Sequence, residues 1–275
     1  MNGFTRPTSG FRWIEGVGGT LVADGKRLEA VAYGPPPEKA PTIVMLHEGL
    51  GCVELWRDFP AKLAAAAGWG VFAYSRAGYG QSDPVDLPRP LDYMSREARF
   101  SLPEVLEAAG FQQGVLLGHS DGASIATIYA GEVFDDRLLG LVLIAPHIFT
   151  EEPGLASIAE ARLAYETGDL RAKLAKYHAH VDNAFRGWND AWLDPEFKSW
   201  NIAHSIDRWR VPALLIQGVD DQYGTLAQIR AIEARSPTPV VAEILPACRH
   251  SPHVDQPQAT LDAIVKFCAL AEAAR

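Results

Sequence analysis

The sequence predicts an α/β protein in which a mostly parallel central sheet is flanked by helices and a helical cap is inserted after the sixth strand. Three observations predict it. Short apolar runs alternate with longer amphipathic stretches, the pattern of βα units around a buried parallel sheet. The alternation stops over residues 148–208, which are rich in Ala, Leu and aromatics without a strand-like run, and then resumes. One sharp motif, Gly118-His119-Ser120-Asp121-Gly122, separates an apolar run from a helical pattern.

Residues 11–33 read as two or three antiparallel strands with turns at Gly18-Gly19 and Asp24-Gly25, and Gly34-Pro35-Pro36-Pro37 breaks the chain. Thr42 to Leu46 is a buried strand, followed by a loop from His47 to Val53. A helix follows from near Trp56 through Ala67, stopped by Gly68. Val71 to Tyr74 is a strand, about Asp92 to Ala109 a helix ending at Gly110, Val115 to Gly118 a strand, Ala123 to Gly131 a helix and Leu139 to Ala145 a strand. The helical stretch 148–208 is too long for a structureless loop in a compact domain and reads as a lid. Ala213 to Gln217 (strand), Leu226 to Arg235 (helix), Val240 to Leu245 (strand) and Gln258 to Ala273 (helix) complete the chain. The domains expected are a core of residues 1–147 and 209–275 and a cap of residues 148–208.

With 275 residues, the chain buries a large core without staples. A net charge of -9 argues against a nucleic-acid partner and against an anionic membrane surface. Cys52, Cys248 and Cys268 form no CxxC pair and are too few for a disulfide framework, and an odd count suits a reducing compartment. No signal-peptide pattern lies near Met1 and no apolar stretch approaches a membrane span. A cytoplasmic enzyme acting on a small molecule is the simplest reading, with monomer and homodimer both open.

The Gly-x-Ser-x-Gly motif carries the chemistry. A strand that turns directly into a helix at such a motif forces the serine into a sharp bend, and the glycines let the two backbones approach closely. Val115-Leu116-Leu117 and Ala123 to Ala130 supply the strand and the helix, and the helix N-terminus favours negative charge beside Ser120. Ser120 is therefore the candidate nucleophile.

On these residues the chain resembles the α/β-hydrolase superfamily over nearly its whole length. The resemblance implies a triad in the order serine, acid, histidine, each later member on a loop after a later strand. In Gly218-Val219-Asp220-Asp221 the acid position, three residues after the glycine, selects Asp221, with Asp220 as its competitor. Cys248-Arg249-His250-Ser251-Pro252-His253 resembles the family's Gly-His-x-Pro ending, which makes His250 the base and His253 the alternate, with Arg249 replacing the usual glycine. Neighbouring Cys248 lacks an elbow and reads as a small buried hydrophobe.

Acyl transfer also needs two N–H donors for the developing oxyanion. The resemblance assigns them to the backbones of Asp121 and of Gly49 in His47-Glu48-Gly49-Leu50-Gly51, with Trp56 nine residues past His47 where many members carry an aromatic. Glu48 stands where the family has glycine, and it either lines the acyl pocket, bonds to its own loop or acts on a bound water. His47 reads as structural. Ser75 to Ser82 resembles the family's Gly-x-Gly-x-Ser loop, a scaffold with Arg76 near the floor of the site.

The cap carries Tyr165, Tyr177, Phe185, Trp188, Trp192, Phe197 and Trp200, which serve either its own core or an apolar or aryl substrate pocket. Glu48, His119, Trp188 and Trp192 are the pocket candidates. His178, His180 and Asp182 do not make a metal site, because only His178 and Asp182 share a helix face. No cofactor is expected. His147 and His204 lie at the cap boundaries, where they either approach substrate or take surface or hinge positions. The expected function is a carboxylic ester hydrolase. Thioesterase, lactonase, amidase, C–C hydrolase and perhydrolase chemistry use the same triad, and the rival class is a ligand receptor on a hydrolase scaffold.

Overall fold

The computed structural model describes residues 10–274, so residues 1–9 and 275, which the sequence assigns to the core domain, lie outside the described residues. Asp24 and Gly25 both have positive φ (49° and 70°), the two-residue hairpin turn whose twist suits its strands. It pairs β1 (Gly19–Ala23) antiparallel with β2 (Lys26–Tyr33). Among the described residues no third strand forms before Gly18, and only an isolated bridge joins Glu15 to Ala32.

β3 (Thr42–Leu46) leads through a 3-10 turn at Glu54–Trp56 to α1 (Phe59–Ala67), which Gly68 ends in the left-handed conformation. β4 (Gly70–Tyr74), α2 (Tyr93–Arg96), α3 (Leu102–Ala108), β5 (Gly114–His119), α4 (Asp121–Glu132) and β6 (Leu138–Ile144) follow. Next come α5 (Glu152–Thr167), α6 (Leu170–Leu174), α7 (Val181–Trp192) and α8 (Ala203–Ile206). The chain ends with β7 (Ala213–Gly218), α9 (Leu226–Arg235), β8 (Val240–Leu245), α10 (Pro252–Asp255) and α11 (Pro257–Ala273).

The eight strands form one sheet in the order β1-β2-β4-β3-β5-β6-β7-β8. β1, β2 and β4 pair antiparallel, and every other neighbouring pair is parallel. β3, β4 and β5 are buried at every position, as a parallel sheet covered on both faces requires. Alternate residues face opposite layers. Ile43, Met45, Val115 and Leu117 pack with Phe59, Leu63, Ile264 and Phe267 from α1 and α11. Val44, Leu46 and Leu116 join Leu102, Ile125 and Ile128 from α3 and α4, a layer continuous with Phe185, Trp188 and Trp192 of α7.

Three local features depart from the sequence reading. The helix expected over 92–109 contains a π-helical turn at Glu97–Ser101. Pro103 has no N–H and its ring crowds the carbonyl four residues earlier, and a wider turn relieves both. α4 starts at Asp121 rather than Ala123, so the helix begins directly on the elbow. The short α10 was missed, although Pro252 at its first position is a helix-start signal. At the ends of the segment expected to be a cap, Phe149 bridges Asn201 and the Ile202 N–H donates to the Ile148 carbonyl at 2.8 Å. That segment therefore leaves and rejoins the sheet layer at one place. No helix among the described residues is long and apolar enough to cross a membrane.

Candidate active site

The carboxyl ends of β3, β5, β7 and β8 lie along one edge of the sheet, with β6 between β5 and β7, and the loops leaving them carry Gly49, Ser120, Asp221 and His250. Ser120 has φ 53° and ψ -115°, a strained conformation for a residue with a side chain. Its N–H donates to the Ile144 carbonyl at 2.9 Å, and its carbonyl accepts from the N–H groups of Ala123 and Ser124. A Cβ on Gly118 would come within 2.3 Å of the Gly122 oxygen, and one on Gly122 within 2.1 Å of the Leu46 oxygen. Strand, helix and β3 backbones touch only because both positions are glycine. The N–H groups of Gly49 and Asp121 meet no acceptor among the described residues, as the first donors of a helix and of a loop often do not.

Both carboxylate oxygens of Asp221 lie 2.9 Å from His250 Nδ1. Asp221 also accepts from the Tyr223 N–H at 2.8 Å and from Gln217 Nε2 at 2.8 Å. Burial works to raise its carboxyl, but the His250 hydrogen bond and charge outweigh burial and hold it below the usual range. Asp220 is exposed, and its N–H donates to the Cys248 carbonyl. Between the two adjacent aspartates, Asp221 is the one that meets the imidazole. His253 packs instead against Trp56 (4.8 Å between ring centroids) and Phe59, and burial lowers its pKa to about 3. Cys248 is fully buried, and burial pushes its thiol up to about 11.

A cavity of about 90 Å³ brings Ser120 and His250 together with Glu48, Gly49, Trp188 and Trp192. His119, expected among the pocket residues, does not line this cavity. The strand direction carries its ring into the core, where Nε2 lies 2.7 Å from the His250 carbonyl oxygen. Of the two places the sequence left open for His147, substrate contact or a surface or hinge position, it takes the buried one, against the cavity with its ring 5.7 Å from His250 and 5.4 Å from Trp192. Its position just past the end of β6 was the available signal. Burial, followed by the His250 charge, lowers its pKa to about 3 and keeps it neutral. Ile158 of α5 and Tyr223 beside Asp221 also line the cavity, and nothing in their sequence context singled them out. Of the seven aromatics singled out in residues 148–208 only Trp188 and Trp192 reach it. Tyr165 stacks on Phe185 at 3.7 Å and Phe197 on Trp200 at 5.2 Å, making the segment's own core.

A buried polar framework holds these loops. Arg76 is fully buried and donates to the His47 carbonyl at 2.7 Å and the Glu48 carbonyl at 3.1 Å. His47 Nε2 accepts from the Arg76 N–H and Nδ1 donates to the Glu48 carbonyl, which fixes a neutral structural ring. The Asp121 carboxylate accepts from the Tyr93 hydroxyl and from Trp192 Nε1 (3.2 Å), so the indole is tied to the elbow. His178 accepts from the Gly80 N–H and donates to the Leu50 carbonyl, while Asp182 binds Arg171 and Tyr165. No metal-binding group of three or more such side chains occurs among the described residues.

Gly49 is packed more tightly than a turn alone requires. A Cβ there would lie 2.1 Å from Trp188 Nε1. Gly49→Ala is expected to lower unfolding free energy by about 1–3 kcal/mol through overpacking and to shift tryptophan fluorescence. Adding Trp188→Ala should shrink the cost of the Gly49→Ala step. Equal losses in both backgrounds, measured by denaturant melts, would assign the effect to backbone strain instead.

The sequence profile of the alpha/beta hydrolase family matches residues 43–263. Epoxide hydrolase B of Mycobacterium tuberculosis is 33% identical over 127 residues, covering 46% of this chain and 34% of its own length. Serine hydrolase BPHL of Homo sapiens is 27% identical over 158 residues, covering 55% of this chain and 53% of its own. The chain thus spans from a third to about half the length of these curated relatives. The solved structure of a proline iminopeptidase from Mycobacterium smegmatis has TM-score 0.72 at 16% identity, covering 94% of this chain and 99% of that one. A carboxylesterase structure from Nitrososphaera gargenis has TM-score 0.75 at 15% identity, covering 94% and 100%. At these identities the two structures speak for the fold. With eight strands in a mostly parallel sheet, a strained serine elbow and a family profile matched over most of its length, this chain belongs to the alpha/beta hydrolase family.

Proposed function

We propose that the protein is a serine hydrolase cleaving a small to medium carboxylic ester through an acyl-enzyme on Ser120. The carrying observation is the Asp221–His250 pair, 2.9 Å apart, beside the cavity that holds Ser120. Because a carboxylate only accepts, Nδ1 carries the imidazole hydrogen and Nε2 keeps its lone pair. Ser120 Oγ bonds to the acyl carbon as its proton passes to Nε2, and the carbonyl electron pair moves onto oxygen. The Gly49 and Asp121 N–H groups receive that oxyanion. Collapse expels the alcohol, which takes the proton from Nε2. Water then attacks the acyl-enzyme with the same base, releasing the acid and restoring the Ser120 hydroxyl.

In this reading residues 148–208 form a lid over a core of residues 1–147 and 209–275. Trp188, Trp192 and Ile158 make the acyl pocket apolar. Its volume of about 90 Å³ suits a short acyl chain and leaves an aryl group to the alcohol side. The name of the mycobacterial relative raises epoxide opening as a second reading. Chemistry separates the two. Ser120 Oγ opening an epoxide would form an alkyl ether, which has no acyl carbon for water to attack, and turnover would stop.

A panel of short alkyl esters, aryl esters, thioesters and an epoxide tests the assignment. Multiple turnovers of an ester, and a covalent fluorophosphonate adduct on Ser120 by intact mass, are expected. One turnover followed by a retained acyl adduct favours a receptor, and no adduct at all overturns the mechanism.

A further inference from the structure

The two proposed oxyanion donors are backbone groups, and a side-chain N–H stands beside one of them. A Cβ on Gly49 would lie 2.1 Å from Nε1, 2.3 Å from Cδ1 and 2.9 Å from Cε2 of Trp188. A point so near three atoms of one five-membered ring sits over the face of that ring and not in its plane. The indole N–H lies in the plane, so it passes beside Gly49 instead of ending on it. Trp188 lines the cavity, and its N–H has no hydrogen-bond partner among the described residues.

The rest of the lining divides by position. Ser120 and His250 belong to the triad, and Leu50 and Ile158 are apolar. Asp121 accepts from Tyr93 and from Trp192, so that second indole is already engaged. The Glu48 carboxyl folds back against Gly51, with Oε2 3.4 Å from His119 Nδ1. His147 and Tyr223 also lack a side-chain partner among the described residues. Their rings pack on His250 at 5.7 and 4.8 Å, on the side of the base and the departing alcohol. Trp188 instead supplies all three of the nearest atoms around the Gly49 position, on the side of the carbonyl oxygen. An indole N–H donates at every pH and never accepts, so its role needs no assignment of protons elsewhere.

Helix α7 holds this donor in place. Five residues before Trp188, Asn183 accepts from the Val85 N–H at 3.0 Å and donates to the Val85 carbonyl at 2.7 Å. Four residues after it, Trp192 donates to Asp121 at 3.2 Å. The adjacent Asn189 is buried and donates to the Ile158 carbonyl at 2.9 Å, and the Phe185 ring meets the Trp188 indole edge-on at 6.1 Å. A donor fixed before the reaction needs no reorganisation when charge appears.

We propose that Trp188 is a catalytic residue whose indole N–H is a third donor to the oxyanion, reaching it from α7 beside the Gly49 N–H. The inference rests on the acyl-enzyme reading. Hydrogen bonds to an ionised acceptor are about twice as strong as neutral ones. The N–H therefore favours the transition state over the bound ester and acts on kcat more than on KM.

The test replaces Trp188 by benzothienylalanine, which keeps the bicyclic shape and puts sulfur in place of the N–H, beside Trp188→Phe. Both are assayed for kcat and KM on a short aryl ester and for inhibition by a matched trifluoromethyl ketone and methyl ketone. The fluorinated ketone adds to Ser120 and carries an oxyanion, whereas the methyl ketone stays a ketone. The sulfur analogue is expected to lower kcat by about 10- to 100-fold, less than the loss of a principal donor because two backbone donors remain. KM and methyl ketone affinity should stay within about threefold, while the fluorinated ketone weakens in step with kcat. Trp188→Phe should show the same split. Equal weakening of both ketones, a raised KM at unchanged kcat, or native kcat in the sulfur analogue overturns the proposal. Fluorophosphonate labelling of the native chain keeps the two readings apart. Labelled native enzyme with a fully active sulfur analogue sinks the third donor alone, whereas unlabelled and inert native enzyme sinks the acyl-enzyme.

Discussion

Ser120→Ala is expected to reduce kcat for a short ester by about a million-fold and to abolish fluorophosphonate labelling. Losing the nucleophile of such a triad costs about as much as losing the whole triad, because the three groups act as a unit. The residual rate would come from the Gly49 and Asp121 N–H groups and from binding. The alanine should fold normally. The strained φ of 53° belongs to the backbone and is imposed by contacts of Gly118 and Gly122, which the substitution leaves in place. Steady-state assays beside a thermal melt check this, and an alanine variant within tenfold of native activity would move the chemistry away from Ser120.

Asp221→Asn is expected to lower kcat by about 10⁴-fold, because an amide can donate to Nδ1 and so place the imidazole hydrogen on Nε2, where the serine proton must go. The change is nearly isosteric, but the Tyr223 N–H and Gln217 Nε2 donate to different carboxylate oxygens, so the one amide oxygen keeps only one of them and unfolding free energy should fall by about 1–2 kcal/mol. Asp220→Asn is the control. That side chain is exposed and does not contact His250, so a change below about threefold is expected, in line with surface substitutions generally. Equal losses at the two positions, measured as kcat/KM on one ester, would remove Asp221 from its proposed role.

The two expectations differ in how they were reached. Ser120 was legible because an elbow is local: five residues between a strand and a helix impose the backbone path through short-range contacts. Asp221 was ranked above Asp220 by motif position, and the 2.9 Å contact across 29 residues of chain separates them physically. The places of His119 and His147 were decided in a similar way, with His119 turned into the core and His147 lining the cavity. His119 ends β5, where one residue of register turns a side chain from one face to the other, and His147 lies in the loop past β6. The aromatics of residues 148–208 divided in a way composition could not reveal, with Trp188 and Trp192 at the cavity and Phe197, Trp200, Tyr165 and Phe185 packed among themselves.

By itself the sequence determined the strand and helix order, the break in alternation at residue 148 and the elbow, because burial periodicity and glycine contacts act over a few residues. Tertiary structure decided which aspartate meets His250, which histidine lines the cavity, and that Glu48 faces His119 rather than standing as a lone carboxylate. These are meetings of loops from distant strands, and they depend on side-chain direction and sheet order, which only the assembled sheet supplies.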